Sequence, residues 1–415
     1  MSLTKNEEIE VVVENINENF EGFSFVDGNK IIVLEVLKDE KVLVKIVKVG
    51  KNVSFAKLIK VISPHKERAL SNDPLLDVSH ISYNHLLDLK RGFLEDSFDC
   101  KIDIVPSILE GCRNKLFFPA QVIDSKFVFG LYKKRSHNII PYNFDSKLIS
   151  DEMNEILKSV STLINRELSP FKRNIKGVYL RGENRKYQLG FQLDDCESYN
   201  KILSKLDFGD MVKSLFVYKR VEGNSILVND PIFLKGEDFI ELSVKGKSYK
   251  LRPESFFQLN SYIIEKIIED IVTYFEDKTL SVVNDFYSGC GVLSNYFENY
   301  GVRKLYEKSI HSFKYLEKSP KLELVTGDLY KVKQKVIEDS IFIFDPPRKG
   351  IGQNCIDLVL ESKPKYILYL SCNYKTQKRD IDHLLDYYSI DFIRGYDMFP
   401  YTKHLESMVI LKRKI

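Results

Sequence analysis

Three residues near the C-terminal end have types and settings suited to covalent chemistry. Cys372 stands in Leu370-Ser-Cys-Asn373, at the predicted end of a strand. A helix is predicted to follow, Tyr374–Leu384, and its N-terminus would lower the thiol pKa and favour thiolate. Glu406 begins the last predicted strand. If that strand runs antiparallel, its start lies at the edge where the Cys372 strand ends. A thiol and a carboxylate then converge on one cleft, as covalent chemistry on a base requires. The other reading of Glu406 is a salt bridge with His404 or Arg379, and His404 could equally support the site. Asp345 stands in Phe344-Asp-Pro-Pro-Arg-Lys-Gly350. Two prolines cannot continue a strand ladder, so the chain must turn and project Asp345 into the site.

An ordered series of turns precedes these residues. Asp285-Phe-Tyr-Ser-Gly-Cys-Gly291 follows a strand and is expected to open a helix. Gly289 and Gly291 would let backbone amides approach a ligand closely. Glu307 ends the next strand, where an acid can accept hydrogen bonds from ribose hydroxyls. Asp328 follows the third strand and is placed to meet an adenine amine. Each acid alone could cap a helix; in series they point to a nucleoside ligand.

These turns need a sheet to hold them at one edge. Strand-like runs at 281–288, 302–307, 322–326, 340–345, 366–372, 391–399 and 406–413 alternate with longer segments suited to crossover helices. That predicts a doubly wound parallel sheet. Only Pro400–Leu405 separates the last two strands, so they should form an antiparallel hairpin. Five parallel strands and a closing hairpin make a layout similar to that of class I S-adenosylmethionine-dependent methyltransferases. Ser261–Phe275 is an amphipathic helix, with Ile263, Ile264, Ile267, Ile268, Ile271 and Phe275 on one stripe.

The division predicted is an all-β barrel over 1–64, a mixed α+β domain over 65–260 and the α/β domain over 261–415. In the first, Ile31–Leu37, Lys41–Val49 and Phe55–Ile62 read as strands. Its recurring lysines suit either a solvated face or a surface tracking a nucleic-acid backbone. In the second, Ser150–Glu167 reads as a helix. Two basic segments interleave aromatics: Tyr132-Lys133-Lys134-Arg135, and Phe171-Lys172-Arg173 onward to Arg181, Arg185, Lys186 and Tyr187. Such segments can hold phosphates and stack bases, or can simply be solvated.

The composition agrees with a folded protein: 415 residues, 44% hydrophobic and 29% charged. Lys+Arg is 62 against Asp+Glu 59, a net charge of +3, which excludes a polybasic binder but not local basic patches. Six cysteines occur with no Cys-x-x-Cys pair, so neither a disulfide framework nor a structural zinc site is expected. No run approaches the ~18 apolar residues of a membrane span. The opening residues lack an apolar signal core, so a cytoplasmic protein is expected.

Taken together, the chain resembles the RNA uracil-5-methyltransferases, which make 5-methyluridine in tRNA and ribosomal RNA. The matching pieces are Ser255-Phe-Phe-Gln-Leu-Asn260, Asp285–Gly291, Asp345–Gly350, Ser371-Cys-Asn373 with Arg379-Asp380, and Phe399-Pro400 with His404-Leu-Glu406. Cys112-Arg-Asn-Lys115 and Gly130–His137 resemble the family's central domain, and the N-terminal barrel its OB-like TRAM module. The resemblance implies that Cys372 adds to carbon 6 of uracil and that Glu406 removes the carbon 5 proton. Asp345 would hold the base edge and line the cofactor pocket. Gln258, Tyr287, Gly289, Glu307 and Asp328 would bind S-adenosylmethionine. Phe256 or Phe257 would stack near the base, and Lys133, Lys134, Arg135, Lys172 and Arg173 would meet RNA. The base must leave its stack to reach Cys372, which implies flipping.

The chain departs from the family pattern in places. Several relatives carry a four-cysteine iron–sulfur site after the barrel; here Pro64–Lys101 holds only Cys100, so no cluster is expected. Val292 stands where the family often has Asn, and Tyr374 where it often has Pro. The expected substrate is RNA: ribosomal RNA of the 23S class first, the tRNA T-loop second. The protein is expected to act as a monomer without a membrane partner. Two other readings stand beside this one. Transfer to an exocyclic amine would need no cysteine, and a non-catalytic RNA-binding factor would need neither Cys372 nor Glu406.

Overall fold

The computed structural model describes residues 3–71, 73, 75–133, 136–168, 171–197, 200–220, 230–327 and 339–414. The chain folds as two compact units, Met1–Ile104 with Phe399–Leu405, and Val105–Met398 with Glu406–Ile415.

The first unit is built on six strands: β1 (Glu8–Val12), β2 (Asn15–Ile16), β3 (Gly22–Val26), β4 (Asn29–Val33), β5 (Lys41–Lys48) and β6 (Val53–Ser63). Their order is β1-β5-β6-β4-β3-β2, antiparallel except for the parallel pair β4–β6. The period-2 pattern of β5 explains its place: Val42, Val44 and Ile46 are buried in one core with Val11, Val13, Ile31 and Val33. Lys48, Lys51, Lys57 and Lys60 are exposed. Glu40 is fully buried and grips Arg68 through both oxygens at 2.6 Å. Burial opposes its charge, but Arg68 and the amides of Leu37 and His65 hold its carboxyl below the usual range. Helix α1 (Tyr83–Phe98) completes the unit, and Lys90 Nζ donates to Phe399 O at 3.3 Å.

The second unit opens with β7 (Ile104–Val105), at Val105. Seven strands follow with the helices between them: β8 (Lys115–Ile123), β9 (Lys126–Tyr132), β10 (Ile139–Pro141), α2 (Asp151–Glu167), β11 (Ile175–Glu183), β12 (Lys186–Leu193), α3 (Asn200–Leu203), β13 (Val212–Lys219) and β14 (Ile232–Gly236). Their order is β10-β9-β8-β11-β12-β13-β14. Ser150 caps α2 by accepting from Met153 N at 3.2 Å, as its position before Asp151 and Glu152 suggests. The hairpin β15 (Ile240–Val244) and β16 (Lys247–Leu251) leads to α4 (Ser261–Phe275), whose predicted stripe is buried throughout.

The remaining elements are β17 (Val282–Phe286), β18 (Val302–Glu307), β19 (Leu322–Thr326), β20 (Ser340–Phe344), α5 (Gly352–Ser362), β21 (Tyr366–Ser371), α6 (Tyr374–Asp382), β22 (Tyr388–Tyr396) and β23 (Glu406–Arg413). Their sheet has the order β19-β18-β17-β20-β21-β23-β22-β7. The first five are parallel, and β23 runs antiparallel to β21 and β22. The sheet has eight strands rather than the expected seven, because two residues near 105 extend its edge. The crossover after β17 differs from expectation. Gly291 to Gly301 holds only a 3-10 turn at Ser294–Phe297. Nine residues between two glycines, two of them Asn, are too few and too poor in helix formers for a full helix.

Candidate active site

Strands β17 and β20 end level and β21 runs two residues further, so Tyr287, Asp345 and Cys372 each stand one residue past the end of their own strand at the carboxyl edge of the sheet. Topology therefore gathers residues that sequence separates by as much as 85 positions, at the edge where open α/β sheets bind ligands.

The turn after β17 is built for close approach. Tyr287 has φ +60°, Gly289 +54° and Gly291 +72°. A Cβ on Gly291 would lie 2.6 Å from Leu305 Cδ2, so only glycine lets the turn lie against β18. Gly289 N donates to Glu307 Oε2 at 3.1 Å, and Ser309 N to its Oε1 at 2.9 Å. Glu307 is thus fixed beside the turn. A cleft opens here, lined by Phe256, Gln258, Asp285, Tyr287, Gly289 and Asp345, among others. Asp285 is buried at its floor, and its Oδ2 has no hydrogen-bond partner among the described residues. Burial pushes its pKa up to about 7. Gln258 Nε2 donates to Asp345 Oδ2 at 3.2 Å, joining the segment before α4 to the Asp-Pro-Pro turn. An open cleft, an orphaned buried acceptor and a glycine cradle fit a nucleoside bearing a cationic tail.

The antiparallel pair β21–β23 sets the other half of the site. Ser371 pairs with Ser407, so the next residues, Cys372 and Glu406, leave adjacent strands at one edge and face one side. Glu406 is buried, and its Oε1 makes no hydrogen bond among the described residues. Arg379, offered by the sequence as a salt-bridge partner for Glu406, pairs instead with Asp380 at 2.6 Å. Burial and the neighbouring Asp345 carboxylate raise the Glu406 pKa well above the carboxylate range. Asp345 is pushed up to about 7, chiefly by burial.

Cys372 is partly buried, and its pKa lies at about 11, not below the usual thiol value. This corrects the expectation of a depressed thiol. Burial is the main cause, and the charges of Glu406 and Asp345 add to it; Arg348 is the group that opposes them. Helix α6 does begin two residues on, at Tyr374.

Arg348 stands in the Asp-Pro-Pro motif with no role that sequence assigns, and the structure gives it one. Its carbonyl accepts from Asn373 Nδ2 at 3.1 Å and Thr376 Oγ1 at 3.2 Å, tying the Asp-Pro-Pro turn to the Cys372 turn. Asp380 closes the same joint, accepting from Ile351 N and Tyr369 OH, each at 2.8 Å.

The candidate RNA contacts divide. Phe256 is 59% exposed, whereas Phe257 is 4% exposed and packs on Tyr249, so Phe256 is the ring available for stacking. Lys133 and Arg173 are exposed. Lys172 is not: it is buried, and its ammonium donates to Ser125 O, so it is not available as a surface cation. Arg181 is fully buried, Arg185 pairs with Asp210 and Lys186 with Glu241. Lys134, Arg135 and Asp328 lie outside the described residues.

Residues 328–414 match the family model described as tRNA (Uracil-5-)-methyltransferase. An uncharacterized RNA methyltransferase of Lactobacillus johnsonii is 28% identical over 456 residues, covering 99% of both chains. Another, of Staphylococcus epidermidis, is 26% identical over 458 residues, covering 100% of this chain and 99% of the relative. The fold is similar to that of Pyrococcus abyssi tRNA (uracil-54, C5)-methyltransferase, solved in complex with S-adenosyl-L-homocysteine. The TM-score is 0.79 at 21% identity, over 97% of this chain and 100% of that one. The site at the carboxyl edge and these matches agree: residues 328–414 match the tRNA (Uracil-5-)-methyltransferase family model, and the chain is similar along its whole length to RNA methyltransferases.

Proposed function

We propose that this protein methylates carbon 5 of a uridine in RNA, using S-adenosylmethionine and a covalent cysteine adduct. The observation that carries the reading is the convergence of Cys372 and Glu406 across the Ser371–Ser407 pair, beside Asp345. We read the eight-stranded sheet as a class I methyltransferase core and the six-stranded N-terminal sheet as a TRAM module. The three-part division of the chain belongs to this reading.

The cleft residues Gln258, Tyr287, Gly289, Glu307 and Asp345 would hold S-adenosylmethionine. When bound, that cofactor supplies an electrophilic methyl group on a sulfonium. Cys372 Sγ adds to carbon 6 of uracil, and the carbon 5–carbon 6 π pair makes carbon 5 nucleophilic. Once carbon 5 carries the methyl group, Glu406 removes its proton. The electron pair released re-forms the double bond and expels Cys372. The high pKa of Cys372 means that its proton must leave as substrate binds, and Arg348 is the neighbour favouring thiolate. A buried Glu406 whose Oε1 has no hydrogen-bond partner among the described residues is a strong base once ionised. Asp345, near neutrality, can hold the base edge as acceptor or donor.

Exposed Phe256 and Lys133 suit contact with the unstacked base and its strand. The N-terminal sheet favours a ribosomal target of the 23S class. The tRNA T-loop is the second reading, favoured by the described substrate of the Pyrococcus abyssi enzyme. The test is nucleoside analysis of RNA incubated with the protein and methyl-labelled cofactor. Label in 5-methyluridine is expected; label in an N-methylated purine would overturn the reading.

A further inference from the structure

The motif Cys112-Arg-Asn-Lys115 takes no part in the mechanism above, yet its asparagine reaches the site. Asn114 precedes β8 and is 5% exposed. Its Nδ2 donates to two acceptors, Gln258 O at 3.3 Å and Ser261 Oγ at 3.0 Å. Its backbone completes the grip: Asn114 N donates to Leu259 O and Gly182 N to Asn114 O, both at 2.8 Å. Ser261 Oγ in turn donates to Glu183 Oε2 at 2.9 Å, so the hydroxyl is oriented from both sides. One residue thus bonds the backbone of Gln258 and Leu259 and the first side chain of α4.

Upstream, Arg181 Nη1 donates to Ser255 O at 3.0 Å, and its guanidinium lies 5.5 Å from the centre of the Phe257 ring. Downstream, Asn260 Nδ2 donates to Ser107 Oγ at 2.9 Å and Met398 O at 3.2 Å, while its Oδ1 caps α4 at Ile263 N. The segment Ser255–Ser261 is therefore held at both ends and in the middle. Asn114 supplies the middle contact, directly behind the residue whose side chain bonds Asp345.

We propose that Asn114 is a positioning residue for Gln258, fixing the carboxamide that closes the cofactor cleft onto Asp345. The proposal rests on the reading of Gln258 as a cofactor contact. A carboxamide suits this place because one nitrogen offers two donors to two acceptors. The substitution Asn114→Asp keeps the shape but sets a carboxylate oxygen against the Gln258 carbonyl. A site held loosely by its supporting residues loses affinity even when every contact residue is present.

The test is calorimetric titration of the full chain with S-adenosyl-L-homocysteine. The proteins are wild type, Asn114→Ala, Asn114→Asp, Gln258→Ala and the double variant Asn114→Ala with Gln258→Ala. Each Asn114 variant should bind about tenfold more weakly, one lost buried hydrogen bond's worth. The double variant should bind no more weakly than Gln258→Ala, because Asn114 acts through that side chain. In methyl transfer, the KM for S-adenosylmethionine should rise while the KM for RNA holds. Unchanged affinity in the Asn114 variants would overturn the proposal. So would losses that multiply in the double variant, which a merely structural role would give. Should Asn114→Ala fail to fold, Asn114→Asp and Ser261→Ala carry the same comparison. A wild type that binds no S-adenosyl-L-homocysteine would overturn the cofactor reading, and this proposal with it.

Discussion

Ser407 Oγ donates to Gln377 Oε1 at 2.6 Å and lies 3.3 Å from Ser371 O across the antiparallel pair β21–β23, and Gln377 reaches both strands. Gln377 Nε2 donates to Tyr369 O at 2.8 Å and Ser407 O at 3.1 Å. This buried clasp lies one residue below Cys372 and Glu406. It fixes their relative height at the sheet edge, and the proposed chemistry depends on that registration. The carboxylate raises the thiol pKa, and burial raises both.

A pH dependence follows from these directions. The proposed mechanism needs Cys372 as thiolate and Glu406 as carboxylate, and both pKa values are raised. The active forms therefore accumulate as pH rises. In single-turnover methylation, the rate should climb about tenfold per pH unit where one deprotonation limits, between about pH 6.5 and 9. A flat profile over that range would contradict the assignment.

Glu406→Gln keeps the shape but cannot accept the proton. Addition and methyl transfer can proceed, while elimination cannot. Turnover should fall by about 10³-fold, and methylated RNA should stay attached to Cys372 on a denaturing gel. Full turnover in this variant would show that another group removes the proton.

Gly350 is expected to be the more sensitive of two neighbouring glycines. It has φ +81°, and a Cβ there would lie 2.2 Å from Asp380 Oδ2, whose bonds to Ile351 N and Tyr369 OH would be disturbed. Gly350→Ala should cost about 2–4 kcal/mol in urea unfolding, from backbone strain and disturbed buried hydrogen bonds. Gly352 has φ +72° with nothing among the described residues within 4 Å of its would-be Cβ. Gly352→Ala should cost only about 1 kcal/mol. Equal losses would count against the account of the joint.

Asp285 gives a stability signature independent of activity. Its folded pKa is raised from the ordinary 3.8 to about 7. The native state then binds more protons than the unfolded state between these values, so stability is present below about pH 4 and declines as pH rises towards 7. Asp285→Asn removes this contribution. The stability difference between wild type and variant should shift by about 3 kcal/mol between about pH 4.5 and 7, in favour of the variant at the higher pH. A constant difference would place the Asp285 carboxyl in water.

The sheet is legible in the sequence because its strands are continuous apolar runs. Ile341–Phe344 and Ile367–Leu370 are buried on both faces, which a parallel sheet demands. The hairpin is legible from length alone, since no crossover fits between Pro400 and Leu405. Strands β1 to β3 escape a reading by pattern because they are short and bury few residues: Glu8, Glu10 and Val12 of β1 are exposed. Lys172 misleads for another reason. Sequence shows a cation among aromatics, but only the fold shows a carbonyl, that of Ser125, waiting for its ammonium. The Cys372 pKa goes the other way from expectation because a helix N-terminus is visible in sequence, whereas the burial of the thiol is not. Phe256 and Phe257 are identical by type and adjacent. Packing against Tyr249 and Arg181 decides which one is core.

The most direct test of the central claim is covalent trapping on RNA substituted with 5-fluorouridine, in the presence of S-adenosylmethionine. Fluorine at carbon 5 cannot leave as a proton, so elimination stops and the adduct persists. The account predicts a protein–RNA species stable on a denaturing gel for wild type and absent for Cys372→Ala. Sequencing the trapped RNA would name the target and decide between ribosomal RNA and tRNA. Wild-type protein that methylates unsubstituted RNA yet forms no adduct, or an adduct that survives Cys372→Ala, would contradict the thiol mechanism.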